Sequence, residues 1–356
     1  MTAFNKTRAW HRANLAVITA AALVLAAAVA AYSKSTPPAP TAPVSLGAVD
    51  YLGQLRKPAD VKGKPSGFKR VVNKILGLED DQRAMATPHG VAVDSKGRVL
   101  VADTKGQVVH MFDAAGRKYK QIHPPESDPF LSPIAIALDS KEQIYVTDSG
   151  RSKIFVFRND GKFLHTLGAL GKNESIFKRC TGLAIDRKRD VLYVVDTVAQ
   201  RIVVLTSDGK VLDRFGKRGD GPVEFNYPTH IAVAADGTLW VVDSLNFRVQ
   251  HLDASGKFIA VFGGQGDRAG ELDKPKGIVV DSQGRVLVVE GRFDRVQAYD
   301  SDGHLLLAFG NTGRQPGEFF LPTGIALDNE GKIYVADGQN GRVEIFRLKP
   351  DAAGAR

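Results

Sequence analysis

The 356-residue chain has 48 lysine and arginine residues against 39 acidic ones, and its single cysteine, Cys180, excludes an intramolecular disulfide framework, a zinc ribbon and an iron–sulfur cluster. The formal net charge of +9 is confined to the N-terminal fifth: residues 1–74 hold 11 basic and 2 acidic side chains, whereas residues 75–356 hold 37 of each. Because the body is neutral and its charges are mixed, counterion release would drive little binding to a polyanion. We therefore expect no nucleic-acid partner.

The chain begins with a membrane signal. Basic side chains stand at Lys6, Arg8 and Arg12, and an uncharged run of 18 residues, Leu15–Tyr32, follows them. The length of this run falls between the apolar stretch of a cleaved signal peptide, about 7–15 residues, and a membrane span of about 20. Two interpretations stay open: residues 1–32 are either a transmembrane anchor or a cleaved signal peptide.

A proline-rich, basic stretch, residues 33–67, comes next and is typical of an extended linker. A tether is useful to a protein that stays attached, so we favour the anchor, which would contact the membrane through residues 15–32. The positive-inside rule then places the N-terminus in the cytoplasm and the body in the periplasm, at the inner membrane. Cleavage would instead release a secreted or periplasmic protein.

Six copies of one unit make up the body. Each copy has a short alternating stretch, a tight turn and a second stretch that ends in an acid. The six closing acids recur every 45–48 residues, at Asp103, Asp148, Asp196, Asp243, Glu290 and Asp337. Short strands joined by turns and repeated at this period predict an all-β fold, a six-bladed β-propeller with four strands in each blade.

The last copy lacks its fourth strand. The stretch Arg70–Gly77 matches the fourth strands of the other copies, so we predict that this N-terminal strand completes the last blade and closes the ring. Closure in this way removes an exposed sheet edge. The propeller then covers residues 68–349, and residues 350–356 form a tail.

The repeated unit, G-x-x-G…F-x-x-P-x-G-I-A-V-D…G-x-I-Y-V-A-D-x-x-N-x-R-I-x-x-F, resembles the NHL repeat. The fourth and sixth copies carry it most fully, with Asn246-Phe-Arg248 and Asn340-Gly-Arg342. The resemblance implies a six-bladed propeller but leaves the function open, because the family includes binding modules, sensors and enzymes.

Residues that every copy repeats are expected to be structural. We predict that the closing acids form turns and ion pairs, and four arginines in the third strands are their natural partners. These arginines are Arg201, Arg248, Arg295 and Arg342.

Function is expected where the copies differ, above all one residue after the start of each first strand. That position holds His89, Ile134, Thr181, Thr229, Lys276 and Thr323. The resemblance implies that lyases of the family carry three zinc-binding histidines here. This chain has only His89 in place. His230 stands one position later, where other copies have glycine, and we expect it to point away from His89.

Three protein ligands are the minimum for a catalytic zinc site, so we assign no catalytic residue, no metal ligand and no cofactor. A metal in the central channel, and with it an exported lyase or hydrolase, is the alternative that stays open. Our leading hypothesis is a membrane-tethered recognition or sensor module that binds a protein, peptide or glycan, since aromatic and arginine side chains on variable loops are typical interface anchors. The predicted contacts are His89, Thr181, Tyr227, Thr229, His230, Phe247, Lys276, Arg292, Phe293 and Thr323.

Overall fold

The computed structural model describes residues 44–46, 49–62, 84–169 and 175–349, which belong to one compact unit. The apolar run 15–32 and the stretch 70–77 lie outside the described residues. Within the described ranges, no helix is long and apolar enough to span a membrane.

Two strands and one short helix precede the first repeat. They are β1 (Val44–Leu46), β2 (Val49–Leu55) and α1 (Ala59–Lys62). All three fall in the part of the chain that the sequence assigned to a linker, so the folded unit begins earlier than residue 68.

The first three repeats form three antiparallel four-stranded sheets. Blade 1 contains β3 (Pro88–Val93), β4 (Val99–Asp103), β5 (Val108–Asp113) and β6 (Lys118–Ile122). Blade 2 contains β7 (Pro133–Leu138), β8 (Ile144–Asp148), β9 (Lys153–Phe157) and β10 (Phe163–Leu167). Blade 3 contains β11 (Cys180–Asp186), β12 (Val191–Asp196), β13 (Arg201–Thr206) and β14 (Val211–Phe215).

The last three repeats continue the ring after a two-stranded parallel ribbon, β15 (Lys217–Arg218) and β16 (Glu224–Phe225). Blade 4 contains β17 (Pro228–Val233), β18 (Leu239–Asp243), a 3₁₀ turn (Ser244–Asn246), β19 (Arg248–Leu252) and β20 (Phe258–Gly263). Blade 5 contains β21 (Pro275–Val280), β22 (Val286–Glu290), β23 (Arg295–Tyr299) and β24 (Leu305–Phe309). Blade 6 contains β25 (Pro322–Leu327), β26 (Lys332–Asp337) and β27 (Arg342–Leu348).

The first strand of each blade lies innermost. These six strands contact one another in sequence, and β25 of blade 6 returns to β3 of blade 1, which closes the ring. The predicted all-β six-bladed propeller is therefore confirmed. Each blade buries Val, Leu and Ile side chains against the next blade, as the alternation of its strands dictates.

Blade 6 is completed by β2 rather than by the stretch that begins at Arg70. β2 pairs antiparallel with β27, with Val49 opposite Leu348, and β1 adds a further strand outside it. The prediction that an N-terminal strand closes the ring is confirmed, but the expected segment, Arg70–Gly77, was wrong. A register shift between Tyr51 and Gly53 interrupts the alternation of β2, which hides this strand from a search for period-two patterns.

The closing acids hold the loops that lead into their own blades. Asp103 accepts hydrogen bonds from the backbone N–H groups of Ala86 and Thr87, at 2.5 and 2.9 Å, and Glu290 accepts from Asp273 and Lys274, at 3.0 and 2.9 Å. Each of these acids therefore satisfies donors that the turn would otherwise leave unpaired.

The arginines of the third strands join the same loops. Ion pairs link Arg201 to Asp196 at 3.2 Å, Arg248 to Asp243 at 2.8 Å and Arg342 to Asp337 at 2.8 Å. Arg295 differs, because its guanidinium donates to the backbone carbonyls of Asp267 and Arg268.

Candidate functional site

The antiparallel order of the strands sets two faces of the ring. Loops that lead into first strands, and loops that join second and third strands, share one face, which we call the upper face. Turns that join first to second and third to fourth strands share the opposite, lower face. All ten predicted contact residues lie on the upper face or at the adjoining ends of the first strands.

A one-residue bulge near the start of each first strand shapes the upper mouth of the channel. Each register shift begins directly after the first residue, as between Pro88 and Val91 in blade 1. Such a bulge re-aims the side chains that follow it. The hydroxyl of Thr181 consequently donates to the backbone carbonyl of Thr229 at 3.1 Å, and Thr323 donates to that of His89 at 3.1 Å.

The next position allows no side chain in four of the blades. A Cβ at Gly90 or Gly182 would stand 2.3 or 2.6 Å from a backbone carbonyl oxygen of the neighbouring first strand, and Gly277 and Gly324 are equally confined. Blade 4 departs from this rule, because His230 occupies the position. Its imidazole therefore projects at the level where most first strands present only backbone.

His89 and His230 meet across the channel mouth. They come from blades 1 and 4, which lie opposite each other in the ring, yet their ring centroids are 5.8 Å apart and their planes differ by 4°. The expectation that His230 points away from His89 was wrong, because the bulge breaks the strict alternation on which it rested. His89 Nδ1 lies 3.2 Å from the carbonyl oxygen of Ile134, and His230 Nδ1 is buried without a hydrogen-bond partner.

Lys276 of blade 5 is the third charged or titratable group at the mouth. Its stem lies against Gly291, where a Cβ would stand 2.9 Å from Lys276 Cε. In three other blades the position of Gly291 holds a hydroxyl that donates to the next first strand at 2.7 Å. Those residues are Thr104, Thr197 and Ser244. The glycine in blade 5 gives up that hydrogen bond and leaves room for the lysine.

The electrostatics of the three groups are coupled. Burial lowers the pKa of His89 to about 4, and the charge of Lys276 adds to the effect. Burial also lowers the pKa of His230 well below its usual value, followed by the influence of His89 and Lys276. The pKa of Lys276 is lowered by burial and by Lys274, while Glu290 opposes the shift. Both imidazoles are thus neutral at pH 7, and each offers one N–H donor and one acceptor nitrogen.

His230 stands at one end of a central cavity of about 310 Å³. All six first strands line this cavity with Val, Ile, Ala and Leu side chains, from His230 at the upper end to Arg187 towards the lower face. The cavity offers an apolar wall with few polar groups apart from backbone.

The remaining predicted contacts lie around the mouth on the upper face. Tyr227 is 39% exposed, and its hydroxyl accepts a hydrogen bond from Arg179 at 3.3 Å. Phe293 lies beside two guanidinium groups, those of Arg292 and Arg295, at 5.9 and 5.1 Å from its ring centroid. Thr229 contacts the hydroxyl of Ser244 at 3.4 Å.

Sequence reasoning missed a set of exposed apolar side chains on this face. Each stands in a loop that leads into a first strand or joins second and third strands. They are Leu131, Val198, Leu245, Phe320 and Leu321, which are 39–52% exposed. The signal was available in the sequence as large apolar residues at loop positions where other copies are polar.

Three of the upper-face residues also have left-handed backbone. Tyr227, Phe247 and Leu321 have φ values of +58°, +55° and +52°. At the position of Phe247, blade 6 has Gly341, with φ of +62°. The position of Phe247 has positive φ in every blade, so its left-handed turn belongs to the fold, and Phe247 costs free energy there that Gly341 does not. The six residues are Gln107, Ser152, Gln200, Phe247, Asp294 and Gly341.

The fold and the site define a six-bladed β-propeller with a polar cluster at the mouth of its channel. The family model of the NHL repeat matches residues 85–110 and 321–346, and a model described as a 6-bladed beta-propeller matches residues 126–205 and 184–259. The chain therefore carries NHL repeats within a six-bladed β-propeller. No curated protein matches the sequence.

Solved structures with this fold differ in what they do. Virginiamycin B lyase from Staphylococcus aureus is 16% identical, with a TM-score of 0.54 over 74% of this chain and 96% of its own. A gluconolactonase from Xanthomonas campestris is 15% identical, with a TM-score of 0.59 over 89% of this chain and 99% of its own. A chain of a nidogen–laminin complex is 19% identical, with a TM-score of 0.54 over 72% and 89%. At these identities the likeness shows the fold alone.

Proposed function

We propose that the chain is a recognition module that binds a polypeptide partner on the upper face of its propeller. The observation that carries the proposal is the convergence of His89, His230 and Lys276 at the channel mouth, surrounded by exposed apolar side chains on the same face. A central polar cluster within an apolar rim can anchor a partner and fix its orientation.

The exposed apolar side chains around the channel mouth favour a polypeptide partner over a glycan. They include aliphatic and aromatic groups, such as Leu245 and Phe320, which suit apolar anchors of a protein partner. Tyr227 and Leu321 stand in left-handed backbone, at a position where the other four blades do not have positive φ. A contribution to binding would explain why large side chains occupy these positions.

We further propose that the module is tethered outside the cytoplasm. The basic N-terminus, the apolar run 15–32 and the proline-rich stretch after it support this proposal. The mass of the mature N-terminus tests it: an intact N-terminus in the membrane fraction supports the anchor, and a mature chain that begins after residue 32 would overturn it.

Peptide display on the full-length chain tests the recognition function. Random peptides are selected on the chain in mild detergent, and alanine variants of Phe247, Arg292 and Phe293 are then measured against the selected peptides. We expect each variant to weaken binding by about tenfold, typical of an interface anchor. Alanine variants of Lys141 and Gln283, both exposed in turns of the lower face, are the matched controls.

Two results would contradict the proposal. The upper-face variants would bind the selected peptides as tightly as the wild type, or the lower-face variants would weaken binding equally.

An exported lyase or hydrolase is the second candidate. Its support is the pair of adjoining imidazoles in the channel, together with a fold shared with a lyase and a gluconolactonase. The residues present do not fit a three-ligand catalytic zinc site, because the third group beside the two imidazoles is the ammonium of Lys276. Metal analysis decides: stoichiometric zinc or calcium that is lost on His89→Ala would favour the enzyme over the recognition module.

A further inference from the structure

We propose, on the basis of the recognition function above, that the group read at the channel mouth is a carboxylate of the polypeptide ligand. The ammonium of Lys276 would bind it, and the imidazole of His230 would donate a hydrogen bond to it, while the one N–H of neutral His89 is held by the carbonyl oxygen of Ile134.

Lys276 is a partly buried cation without a counter-ion in the part of the chain that the structure describes. Among the residues that the structure describes, no carboxylate lies within 4 Å of its ammonium. Two other cations of the ring are paired with acids, Arg342 with Asp337 at 2.8 Å and Arg248 with Asp243 at 2.8 Å, whereas Arg295 donates to backbone carbonyls instead. A cation removed from water is costly unless an anion compensates it, so a ligand carboxylate would complete the pattern.

Blade 5 has room for this lysine. Gly291 stands where three other blades have a hydroxyl that links neighbouring first strands, and the stem of Lys276 lies against it. Blade 6 also has a glycine at this position, Gly338, beside Thr323, so the glycine accommodates the lysine without being specific to it.

The donors at the mouth set the charge of the ligand. His230 Nδ1 is buried without a partner, and as an N–H it can donate to an anion at the mouth. One ammonium and one neutral N–H donor match a monoanion, whereas a phosphate dianion generally needs further cations or a nest of backbone N–H groups. The ammonium also disfavours a metal cation at this place. A carboxylate therefore fits better than either.

Binding should depend on pH with a defined sign. The charged and titratable groups that face the imidazoles are Lys276 and the opposite imidazole, and Lys274 and Glu290 act on Lys276 in turn. A carboxylate beside the imidazoles favours their protonated forms, so binding raises their pKa values and strengthens as the pH falls. For His89, whose pKa is about 4, a rise of about one unit on binding strengthens affinity only about twofold between pH 7.5 and pH 5, and the full gain of about tenfold is reached below pH 4.

Acetate is the probe for the test. The full-length chain, labelled with ¹⁵N-histidine, is titrated with sodium acetate at constant ionic strength, and the titration midpoints of His89 and His230 are followed by NMR. We expect acetate to raise both midpoints by about one pH unit in the wild type. Lys276→Gln and Lys276→Thr should abolish the shift. The threonine variant guards against misfolding, because threonine is the natural residue at this position in blades 3, 4 and 6.

Lys274→Gln is the matched control, because Lys274 is exposed and lies two residues before Lys276, in the loop that leads into β21. This variant should keep the acetate response. The inference is overturned if acetate leaves both midpoints unchanged, or if Lys274→Gln loses the response as fully as Lys276→Gln.

The two proposals fail separately. Selected peptides that bind with Lys276→Gln as well as with the wild type would overturn the carboxylate and leave polypeptide recognition standing. An acetate response without any selected peptide would support the carboxylate site and count against the polypeptide partner.

Discussion

Replacing Glu344 by glutamine should stabilise the propeller. Glu344 is fully buried in β27, and its Oε2 atom has no hydrogen-bond partner, while its Oε1 atom contacts Arg342 at 3.1 Å. Arg342 also pairs with Asp337, so one guanidinium serves two buried acids. A second buried acid on a single cation leaves one negative charge uncompensated unless the carboxyl keeps its proton.

Blades 4 and 5 have a glutamine at the position of Glu344. Gln250 stands at the matching position of β19, where its Nε2 atom donates to the carbonyl of Glu224 at 2.7 Å and its Oε1 atom accepts from Val223 N–H at 3.0 Å. Gln297 repeats the arrangement in β23, with a bond to the carbonyl of Glu271 at 2.9 Å. A glutamine at 344 can thus make the donor contact that an ionised glutamate cannot make.

The magnitude follows from these contacts. One added hydrogen bond contributes about 0.5–1.5 kcal/mol, and loss of the ion pair with Arg342 offsets part of the relief from burying an acid. We expect a net gain of about 1–2 kcal/mol at pH 8, or roughly 2–6 °C in Tm for a body of this size.

The gain should grow with pH. Burial raises the pKa of Glu344 well above its usual value, so the folded state holds the proton more tightly than the unfolded chain does. Wild-type stability therefore falls as the pH rises from the unfolded pKa, about 4.3, towards the folded one, and the glutamine variant is free of this loss. Stabilisation by Glu344→Gln should consequently be smaller at pH 5 than at pH 8.

Urea denaturation at pH 5 and pH 8 measures both effects. Gln297→Glu is the mirror-image control and should destabilise blade 5, more so at pH 8. A glutamine at 344 that lowers stability at pH 8, or a gain that is the same at both pH values, would refute the reasoning.

Three further changes have expected outcomes. Tyr51→Ala in the closing strand β2 should lower the free energy of unfolding in urea by about 3–5 kcal/mol, because Tyr51 is fully buried against Phe346. Leu212→Ala, at a 50% exposed site, should change stability by less than about 0.5 kcal/mol. Equal effects of the two changes would argue against β2 as the closing strand. Phe247→Gly should relieve left-handed backbone and raise stability by up to about 1 kcal/mol while weakening peptide binding; a variant that loses both would assign Phe247 to packing alone. Cys180 is fully buried and its pKa is raised by burial, so it should react with a thiol reagent only on unfolding, and rapid labelling of the native chain would contradict its placement.

The architecture could be predicted from the sequence because the same pattern of buried and ion-pairing residues recurs in six copies. Closing acids such as Asp243 and third-strand arginines such as Arg248 recur at fixed spacing, and each copy buries the same alternating residues. The one strand that was misplaced, Val49–Leu55, has no counterpart motif, and the irregularity at Gly53 breaks its alternation.

The candidate site was harder to predict, because it depends on close approaches that no local pattern records. From the sequence, the side chains of His89 and His230 were expected to point in opposite directions, because successive residues of a regular strand alternate between its two faces. The bulge after Pro228 removes that alternation, and the narrow channel brings blades 1 and 4 together, so that His89 and His230 meet. The space for Lys276 beside Gly291 is likewise a contact between two distant segments.

Recognition at the channel mouth is the central claim, and hydrogen exchange tests it most directly. Exchange of backbone amides is compared in the full-length chain with and without a selected peptide. We predict slower exchange in the upper-face loops 224–230, 244–248 and 291–295 and no change in the lower-face turn 281–285. Protection of the lower-face turn or of outer strands, with the upper-face loops unchanged, would contradict the account.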